Sequence, residues 1–251
     1  MHLSTQFWRY LLLITFIAVP IVNYLPFFTG GGQRRFADDA STRVDAAGYA
    51  FSIWGLIFAG MLVFAALQLR NTRKTRALKR GYQFLVLAGL ASIAFVPISM
   101  GNDQVLGAGD LLWHLGALLG AYFALRDHEV ESKVMHYGWT YLAPSVYLGW
   151  ISAATVISLA LALNQLGLEV APDTAIYIAT ALVGVLTALG AYLSLRQDNV
   201  YTLTVAWALV AVAVEQRDAA LIFWGACAGA ALLVGLSGWA WLGPRKFFYA
   251  R

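Results

Sequence analysis

Apolar residues fill most of this chain in runs of about 20, and short polar or charged turns separate the runs. A run of that length is what an α-helix needs to cross the hydrocarbon core of a bilayer. The pattern predicts eight such helices, at residues 8–28, 48–69, 82–100, 107–125, 141–164, 174–195, 200–214 and 219–242. We therefore predict an all-α fold, a polytopic integral membrane helix bundle.

Two of these segments need a further argument. The seventh, VYTLTVAWALVAVAV over residues 200–214, has only 15 clean residues, so it spans only where the bilayer is thin or flanking residues contribute. In the first, the apolar run from Tyr10 to Phe28 follows Arg9, as the apolar part of a signal peptide would, but it is long for that role and no A-x-A cleavage site follows it. We interpret residues 8–28 as a retained membrane helix.

Composition supports the same architecture. Of the 251 residues, 60% are hydrophobic and 12% are charged, whereas soluble domains carry roughly 25% charge. No polar stretch is long enough to build a separate soluble domain, so we predict a single transmembrane domain over residues 1–251. The net charge of +4 suits loops that face anionic lipid, and no nucleic-acid-binding signature is present.

Charge also predicts the orientation. With eight helices, 13 of the 17 basic residues fall on the side that holds both termini, and six of those 13 lie in the loop at residues 70–80. The other side holds only Arg34, Arg35, Arg43 and Arg217. The positive-inside rule then places both termini in the cytoplasm. Loop 28–47, rich in glycine and mixed charge, is the longest external connection, and both a lid over a site and a solvated linker remain open for it.

Ionisable residues inside a span are the first candidates for chemistry. His114 is the only histidine within a predicted span, and Asp110 lies four residues earlier on the same helix face. The pair is compatible with a proton-coupled polar site or a metal or haem ligand. We favour a plainer interpretation, a histidine hydrogen-bonded to its own helix neighbour. Two ligands are too few for a metal site, so no metal is predicted.

Tryptophan is the other unusual feature, with nine in the chain. Trp8, Trp139, Trp239 and Trp241 fall where the lipid interface is expected. A deeper group can pack the bundle or line a cavity for a flat apolar ligand; its members are Trp54, Trp113, Trp150, Trp207 and Trp224.

Two G-x-x-x-G motifs, at 116–120 and 225–229, predict close helix contacts. Packing within the chain is the commoner use, and a homodimer face stays open. Enzyme signatures such as H-E-x-x-H, G-x-S-x-G, a Walker loop or a dinucleotide fingerprint are missing, and the single cysteine, Cys227, makes no cluster. We predict no catalytic residues and lean against an enzyme.

Two segments carry a family resemblance: GYAFSIWGLI at 48–57 and PSVYLGWISAAT at 144–155. They resemble signature helices of the tryptophan-rich sensory proteins, bacterial relatives of the translocator protein (peripheral benzodiazepine receptor), in a long and divergent branch. Compact members have five spans, so this chain has three more. The resemblance implies a protein of the bacterial cytoplasmic membrane.

The resemblance also implies a ligand and its site. Such proteins bind porphyrins, sterol-like molecules or synthetic aromatic ligands between helices. By motif, Phe51 and Trp54 match the signature of the second helix, and Trp150, Ala154 and Thr155 match that of the fifth. Tyr49 and Tyr147 lie close by in sequence. A bound porphyrin or haem-like molecule is the expected cofactor, if the protein has one.

Three functions follow from these patterns. The leading hypothesis is a membrane receptor or sensor for a flat hydrophobic molecule, tetrapyrrole-like or sterol-like. The runner-up is a small-solute or proton-coupled transporter that uses Asp110 and His114. The third is a structural or assembly subunit that binds another membrane protein through its glycine faces.

The orientation can be tested with topology reporters. A reporter that is active in the cytoplasm should work when fused after Arg80, Lys133 or the C-terminus. A reporter that requires export should work after Gly32, Asp103 and Asp173. An exported C-terminus would contradict an even helix count, with the seventh segment the first to re-examine.

Overall fold

The structure, a computed structural model, describes residues 4–28, 42–132, 142–168 and 170–242. Over these ranges all regular structure is helical, which confirms the predicted all-α membrane bundle. The α-helices are α1 (Thr5–Phe28), α2 (Ile53–Leu69), α3 (Arg76–Met100), α4 (Gln104–Ser132), α5 (Leu142–Gln165), α6 (Pro172–Leu195), α7 (Asn199–Glu215) and α8 (Ala220–Leu242). A 3₁₀ turn, Gly48–Ser52, leads directly into α2.

Two helices are longer than their apolar runs. α3 begins at Arg76 rather than residue 82, because Thr75 caps it by accepting a hydrogen bond from the Leu78 amide at 3.1 Å. α4 covers Gln104–Ser132 rather than 107–125. Hydropathy locates the part of a helix that lies in lipid, while the backbone continues into water wherever a cap or a favourable sequence supports it. The predicted limits were wrong at these ends for that reason.

Seven of the described helical segments are long and apolar enough to cross a membrane by length and composition. The remaining helix, α7, has 17 residues. At 1.5 Å per residue it is about 26 Å long, slightly less than the hydrocarbon core. That α7 spans the bilayer stays a prediction.

The helices divide into two compact units. Unit 1 holds α1, α2, α3, α4 and the first turns of α5 up to Leu148. Unit 2 holds residues 42–52, α5 from Gly149 onward, α6, α7 and α8. A single domain over the whole chain stays a prediction. Of the predicted external loop 28–47, residues 29–41 lie outside the described residues.

In unit 1, α3 packs between α1 and α4. A Cβ added to Gly89 of α3 would clash with the Thr15 side chain of α1, and one added to Gly120 of α4 would lie 2.7 Å from the Phe84 ring. These glycines leave no room for a larger residue unless the neighbouring side chain shifts. They allow the helix backbones to approach closely, which is how van der Waals packing replaces the hydrophobic effect inside a membrane.

Arg9 connects two segments of the chain at one end of unit 1. Its side chain is 2% exposed although it carries a charge. The guanidinium donates to the Gln6 side chain at 3.0 Å and to the Arg73 carbonyl, and it lies 5.9 Å from the centre of the Tyr82 ring. These contacts join α1 to the loop that precedes α3.

In unit 2, α6, α7 and α8 pack against one another, and α5 packs against α7 at Gly149. A Cβ on Gly149 would lie 2.8 Å from Thr204 Cβ and 3.1 Å from the Tyr201 carbonyl oxygen. The Thr202 hydroxyl donates to the Gly190 carbonyl of α6 at 2.9 Å. Small residues and threonines therefore set the helix spacing in this unit.

One glycine of each predicted motif makes a close contact inside the chain. Gly120 meets Phe84, and Gly229 meets Thr187 of α6 and Leu209 of α7. A Cβ on Gly116 would have nothing within 4 Å, and one on Gly225 would make only ordinary contacts. The favoured interpretation, packing within one chain, is confirmed for Gly120 and Gly229. The homodimer stays a prediction.

The contact at Gly149 yields a stability test. Gly149→Ala should destabilise the protein by about 1–3 kcal/mol, because the new methyl group would lie 2.8 Å from Thr204 Cβ, so that α5 and α7 have to shift. Gly184→Ala in α6 is the matched control, since a Cβ there has nothing within 4 Å. It should be neutral or stabilising by up to about 1 kcal/mol. Thermal unfolding in one detergent measures both, and equal effects would contradict the packing described.

Candidate functional site

Tyr147 is the centre of a buried polar cluster in unit 1. The residue is fully buried in the first turns of α5. Its hydroxyl lies 2.5 Å from His114 Nε2 of α4, and the two rings meet edge to face with centroids 4.9 Å apart. It also hydrogen-bonds the Ser92 side chain of α3. Asn23 of α1 places its amide nitrogen 3.4 Å from the Ser92 hydroxyl.

Aromatic rings surround the same tyrosine. Trp54 of α2 meets the Tyr147 ring edge to face at 6.0 Å and lies 5.4 Å from Phe58. Phe16 of α1 contacts Tyr147 at 6.4 Å. The structure thus brings together Trp54 and His114, which sequence reasoning assigned to separate sites, and Tyr147 is the link between them.

The expected hydrogen bond between Asp110 and His114 is not formed. His114 uses Nε2 for Tyr147, while its Nδ1 has no hydrogen-bond partner among the described residues. Asp110 is half-buried, and its Oδ2 is likewise buried without a partner in that part of the chain. The expectation was wrong because sequence spacing cannot show that Tyr147 of α5 competes for the histidine. Over the same residues no group of three or more His, Cys, Asp or Glu side chains could hold a metal ion.

Unit 2 contains a narrow apolar cleft beside Trp150. The Trp150 ring is 1% exposed and meets Phe51 edge to face at 5.5 Å. The cleft has an internal volume of about 10 Å³, which is room for one water molecule at most. Its walls come from four segments: Val44, Ala46, Trp150, Ala153, Val156, Ile157, Leu182, Val183, Leu186, Ala208 and Val212.

Residues 42–47, here called the strap, form one wall of this cleft. The Ala47 amide donates to the Ala211 carbonyl of α7 at 3.0 Å, and Gln216 donates to the Thr42 carbonyl at 3.1 Å. Arg43 forms a salt bridge with Asp218 at 2.9 Å. Three contacts therefore hold the strap against the end of α7 and the turn that follows it.

Two carboxyl groups of this region differ in their electrostatics. Asp45 is buried, and burial raises its pKa, although the Thr42 hydroxyl and amide both donate to it and oppose the shift. Asp218 is exposed, and the hydrogen bond from Arg43 lowers its pKa. The strap therefore contains one carboxyl group that resists ionisation and contacts another that favours it.

The other predicted site residues lie apart from the cleft walls. Tyr49 is exposed and packs against Trp207 at 5.2 Å, and the Trp207 indole donates to the Ala50 carbonyl at 3.4 Å. Thr155 is buried and donates to the Ile151 carbonyl of its own helix at 2.7 Å. The α5 wall is formed by neighbours of Ala154 and Thr155 rather than by these two residues.

The deep tryptophans were expected to pack the bundle or to line a cavity, and this expectation holds for only some of them. Trp150 is buried, but Trp113 is 61% exposed and Trp224 is 68% exposed. These two neither pack the described bundle nor line the cleft; they face outward, where lipid is expected. Their depth along a helix could be read from the sequence, but the helix face they occupy could not.

Sequence reasoning missed most of the cleft. The walls from α6 and α7 have no counterpart in the family signature, and Val44 and Ala46 lie in a loop with no distinctive pattern. It also missed Ser92 and Asn23. A serine on the buried face of α3 and an asparagine inside α1 were the available signals, because polar groups within a span require partners.

The fold and these two groups of residues define a polytopic α-helical membrane protein. A family model described as TSPO-like protein matches residues 7–239, nearly the whole chain. The chain therefore belongs to the TSPO-like family, and the resemblance to the tryptophan-rich sensory proteins is confirmed. Family membership supports a membrane protein of the sensor or receptor type. No curated protein and no solved structure matches the chain.

The buried carboxyl group of Asp45 predicts a pH dependence. Because its pKa is raised in the folded protein, the folded state binds the proton more tightly, and stability is lost as pH rises through that pKa. Asp45→Asn cannot ionise, and it retains one of the two oxygens that accept from Thr42. The difference in melting temperature, variant minus parent, should be lowest at low pH and rise to a constant value near neutral pH.

Asp218→Asn should change the dependence of stability on pH in the opposite direction. Its lowered pKa contributes stability above the unfolded-state value, and this stability is lost as pH falls through the folded pKa. The variant should therefore be less stable than the parent at neutral pH and equal to it at low pH. Melting curves from pH 3 to 8 measure both variants, and a variant-minus-parent difference that changes with pH in the same direction for both would contradict the assignment.

Proposed function

We propose that this protein is a membrane receptor that binds a flat hydrophobic molecule, porphyrin-like or sterol-like, in the apolar cleft of unit 2. The observation that carries the proposal is the buried Trp150 ring as a wall of a cleft whose lining residues are all apolar. A rigid indole face suits a flat ligand, and Phe51 holds the ring in place from its edge. Membership of the TSPO-like family supports the same class of function.

The cleft has to widen before such a ligand binds. Small-molecule sites usually have volumes of about 300–1,000 Å³, far above the volume of this cleft. Among the described residues, the strap is held to the end of α7 and the following turn by two hydrogen bonds and by the exposed salt bridge between Arg43 and Asp218. Displacement of the strap would open the cleft without moving a helix. Under this proposal the ligand therefore enters the cleft past the displaced strap.

No catalytic step forms part of the proposal. Any light-dependent or redox chemistry would come from a bound pigment rather than from an acid–base pair of the protein. A cytoplasmic position of both termini, in the plasma membrane of a bacterium, completes the proposal and rests on the charge distribution and the resemblance.

A second function, a proton-coupled or small-solute transporter, is favoured by one observation. His114 and Tyr147 form a buried polar pair within the spans, and Asp110 lies one helical turn away on α4. Polar groups at such depth often mark a solute or proton pathway. Saturable uptake into proteoliposomes that is abolished by His114→Gln would support this function over the receptor.

The binding proposal is tested with Trp150→Ala. Loss of the indole wall removes stacking worth about 0.5–1.5 kcal/mol per aromatic pair, in addition to the apolar area. We expect protoporphyrin to bind about 10-fold more weakly or worse, since about 1.4 kcal/mol is a factor of ten. The measurement is quenching of tryptophan fluorescence on titration of the detergent-solubilised protein, with an empty-micelle baseline because micelles absorb porphyrin.

Trp239→Ala is the control, since Trp239 is 59% exposed near the end of α8. It should bind as the parent does. Trp54→Ala carries the same expectation of weaker binding from the family signature, and it reports whether the aromatic cluster of unit 1 also takes part. Unchanged binding in Trp150→Ala, or no saturation by the parent above the baseline, would overturn the pocket assignment and leave the transporter as the better function.

A further inference from the structure

Two buried polar atoms on α4 have no hydrogen-bond partner among the described residues: His114 Nδ1 and Asp110 Oδ2. The residues are four apart on one helix, so their side chains lie on the same face, one turn from each other. His114 is 1% exposed. Unpaired polar atoms are costly in a membrane interior, where no bulk water compensates for the missing bonds. The pair therefore points to a group that the two side chains bind together.

The surrounding hydrogen bonds determine which group fits. Asn23 donates toward Ser92, Ser92 bonds Tyr147, and Tyr147 lies at hydrogen-bond distance from His114 Nε2. When the Ser92 and Tyr147 hydroxyls both donate in the direction of His114, each member of this series of hydrogen bonds is satisfied, and the bonds strengthen one another. Nε2 is then an acceptor, and the neutral imidazole carries its proton on Nδ1. His114 Nδ1 is therefore a donor that lacks an acceptor among the described residues, and Asp110 Oδ2 is an acceptor that lacks a donor there.

We propose that Asp110 and His114 form a binding site for one neutral hydroxyl group, supplied by water or by an alcohol. The hydroxyl oxygen accepts from His114 Nδ1–H, and the hydroxyl proton is donated to Asp110 Oδ2. An anion would be repelled by the carboxylate, and a cation would face the Nδ1 proton with only one carboxylate to hold it. A hydroxyl group satisfies both positions at once. Asp110 is half-buried, so the group reaches the site from the Asp110 side.

This site is independent of the proposed cleft. All of its residues belong to unit 1, whereas the cleft walls belong to unit 2. It assigns a role to Tyr147 that is separate from stacking: Tyr147 is a positioning residue that fixes the histidine tautomer through its hydroxyl group. Failure of porphyrin binding would leave the hydroxyl site unaffected, and the reverse also holds.

The test uses solid-state NMR on the full chain in lipid bilayers with ¹⁵N-labelled histidine. The chain has only four histidines, and the spectrum of His114→Gln identifies the signal of His114. We expect a neutral ring with the proton on Nδ1, and a correlation from that proton to a hydroxyl proton. Asp110→Leu should abolish the correlation, because the hydroxyl loses its acceptor. Tyr147→Phe should give a mixture of tautomers.

The source of the hydroxyl is distinguished by additives. Addition of 1-dodecanol to the bilayer should move the correlation from the water frequency to that of the alcohol if the site takes an alcohol, whereas dodecyl methyl ether, which has no hydroxyl proton, should leave it unchanged. A correlation that stays at the water frequency with both additives identifies water as the occupant. Either result supports a hydroxyl site.

Three results would overturn the proposal: a proton on Nε2 in the parent, an Nδ1 proton that correlates directly with the Asp110 carboxyl carbon and with no hydroxyl, or an unchanged correlation in Asp110→Leu. The parent spectrum alone decides the first two. If Asp110→Leu does not fold, Asp110→Asn replaces it; its amide oxygen still accepts, so the correlation should persist with a shifted frequency. A spectrum of Asp110→Asn identical to that of the parent would contradict contact with residue 110.

Discussion

Every polar group that enters hydrocarbon has to find its partner within the protein, and this constraint accounts for much of the described structure. The threonines of the spans obey it locally. Thr15, Thr155, Thr180, Thr187 and Thr204 each donate to the carbonyl four residues earlier in their own helix, at 2.7–2.9 Å. A hydroxyl that bonds its own backbone is satisfied within its helix, so such residues can occupy close helix contacts.

Polar side chains that are not satisfied within their own helix show which helices are joined by hydrogen bonds. Tyr147, His114 and Ser92 cannot satisfy one another within one helix, so their bonds join α5, α4 and α3 in unit 1. Among the described residues, two atoms of this region are left without a partner, His114 Nδ1 and, one turn away on α4, Asp110 Oδ2. A polar cluster of this kind links helix packing to binding, because the bonds that position the helices also orient the atoms that remain open.

Glycine supplies the other half of the architecture. Without a hydrophobic driving force between helices, stability in lipid depends on how closely the backbones approach. Gly149 lets α5 lie against Thr204, and Gly229 lets α8 lie against Thr187. The strap is held by a different kind of interaction. Backbone and side-chain hydrogen bonds and one exposed salt bridge hold it to α7, and these weaken far more readily than interlocked helices do. The difference explains why the strap, rather than a helix, is expected to move.

By itself the sequence determined the class of the fold, and its eight apolar segments correspond to the eight α-helices of the described residues. Apolar run length reports the thickness of the bilayer, a property that each segment meets independently of its neighbours, so α1, α5, α6, α7 and α8 were located to within a few residues; the first five residues predicted for α2 form a 3₁₀ turn instead. It also indicated the family through the segments around Trp54 and Trp150. It did not determine partners. Hydropathy is nearly uniform around most of these helices, so nothing in the pattern marks the face of α4 that carries His114 toward Tyr147 or the outward direction of Trp113. Only the tertiary structure showed that Val44 and Ala46 wall the cleft, because contacts between residues far apart in the chain depend on the packing of whole helices.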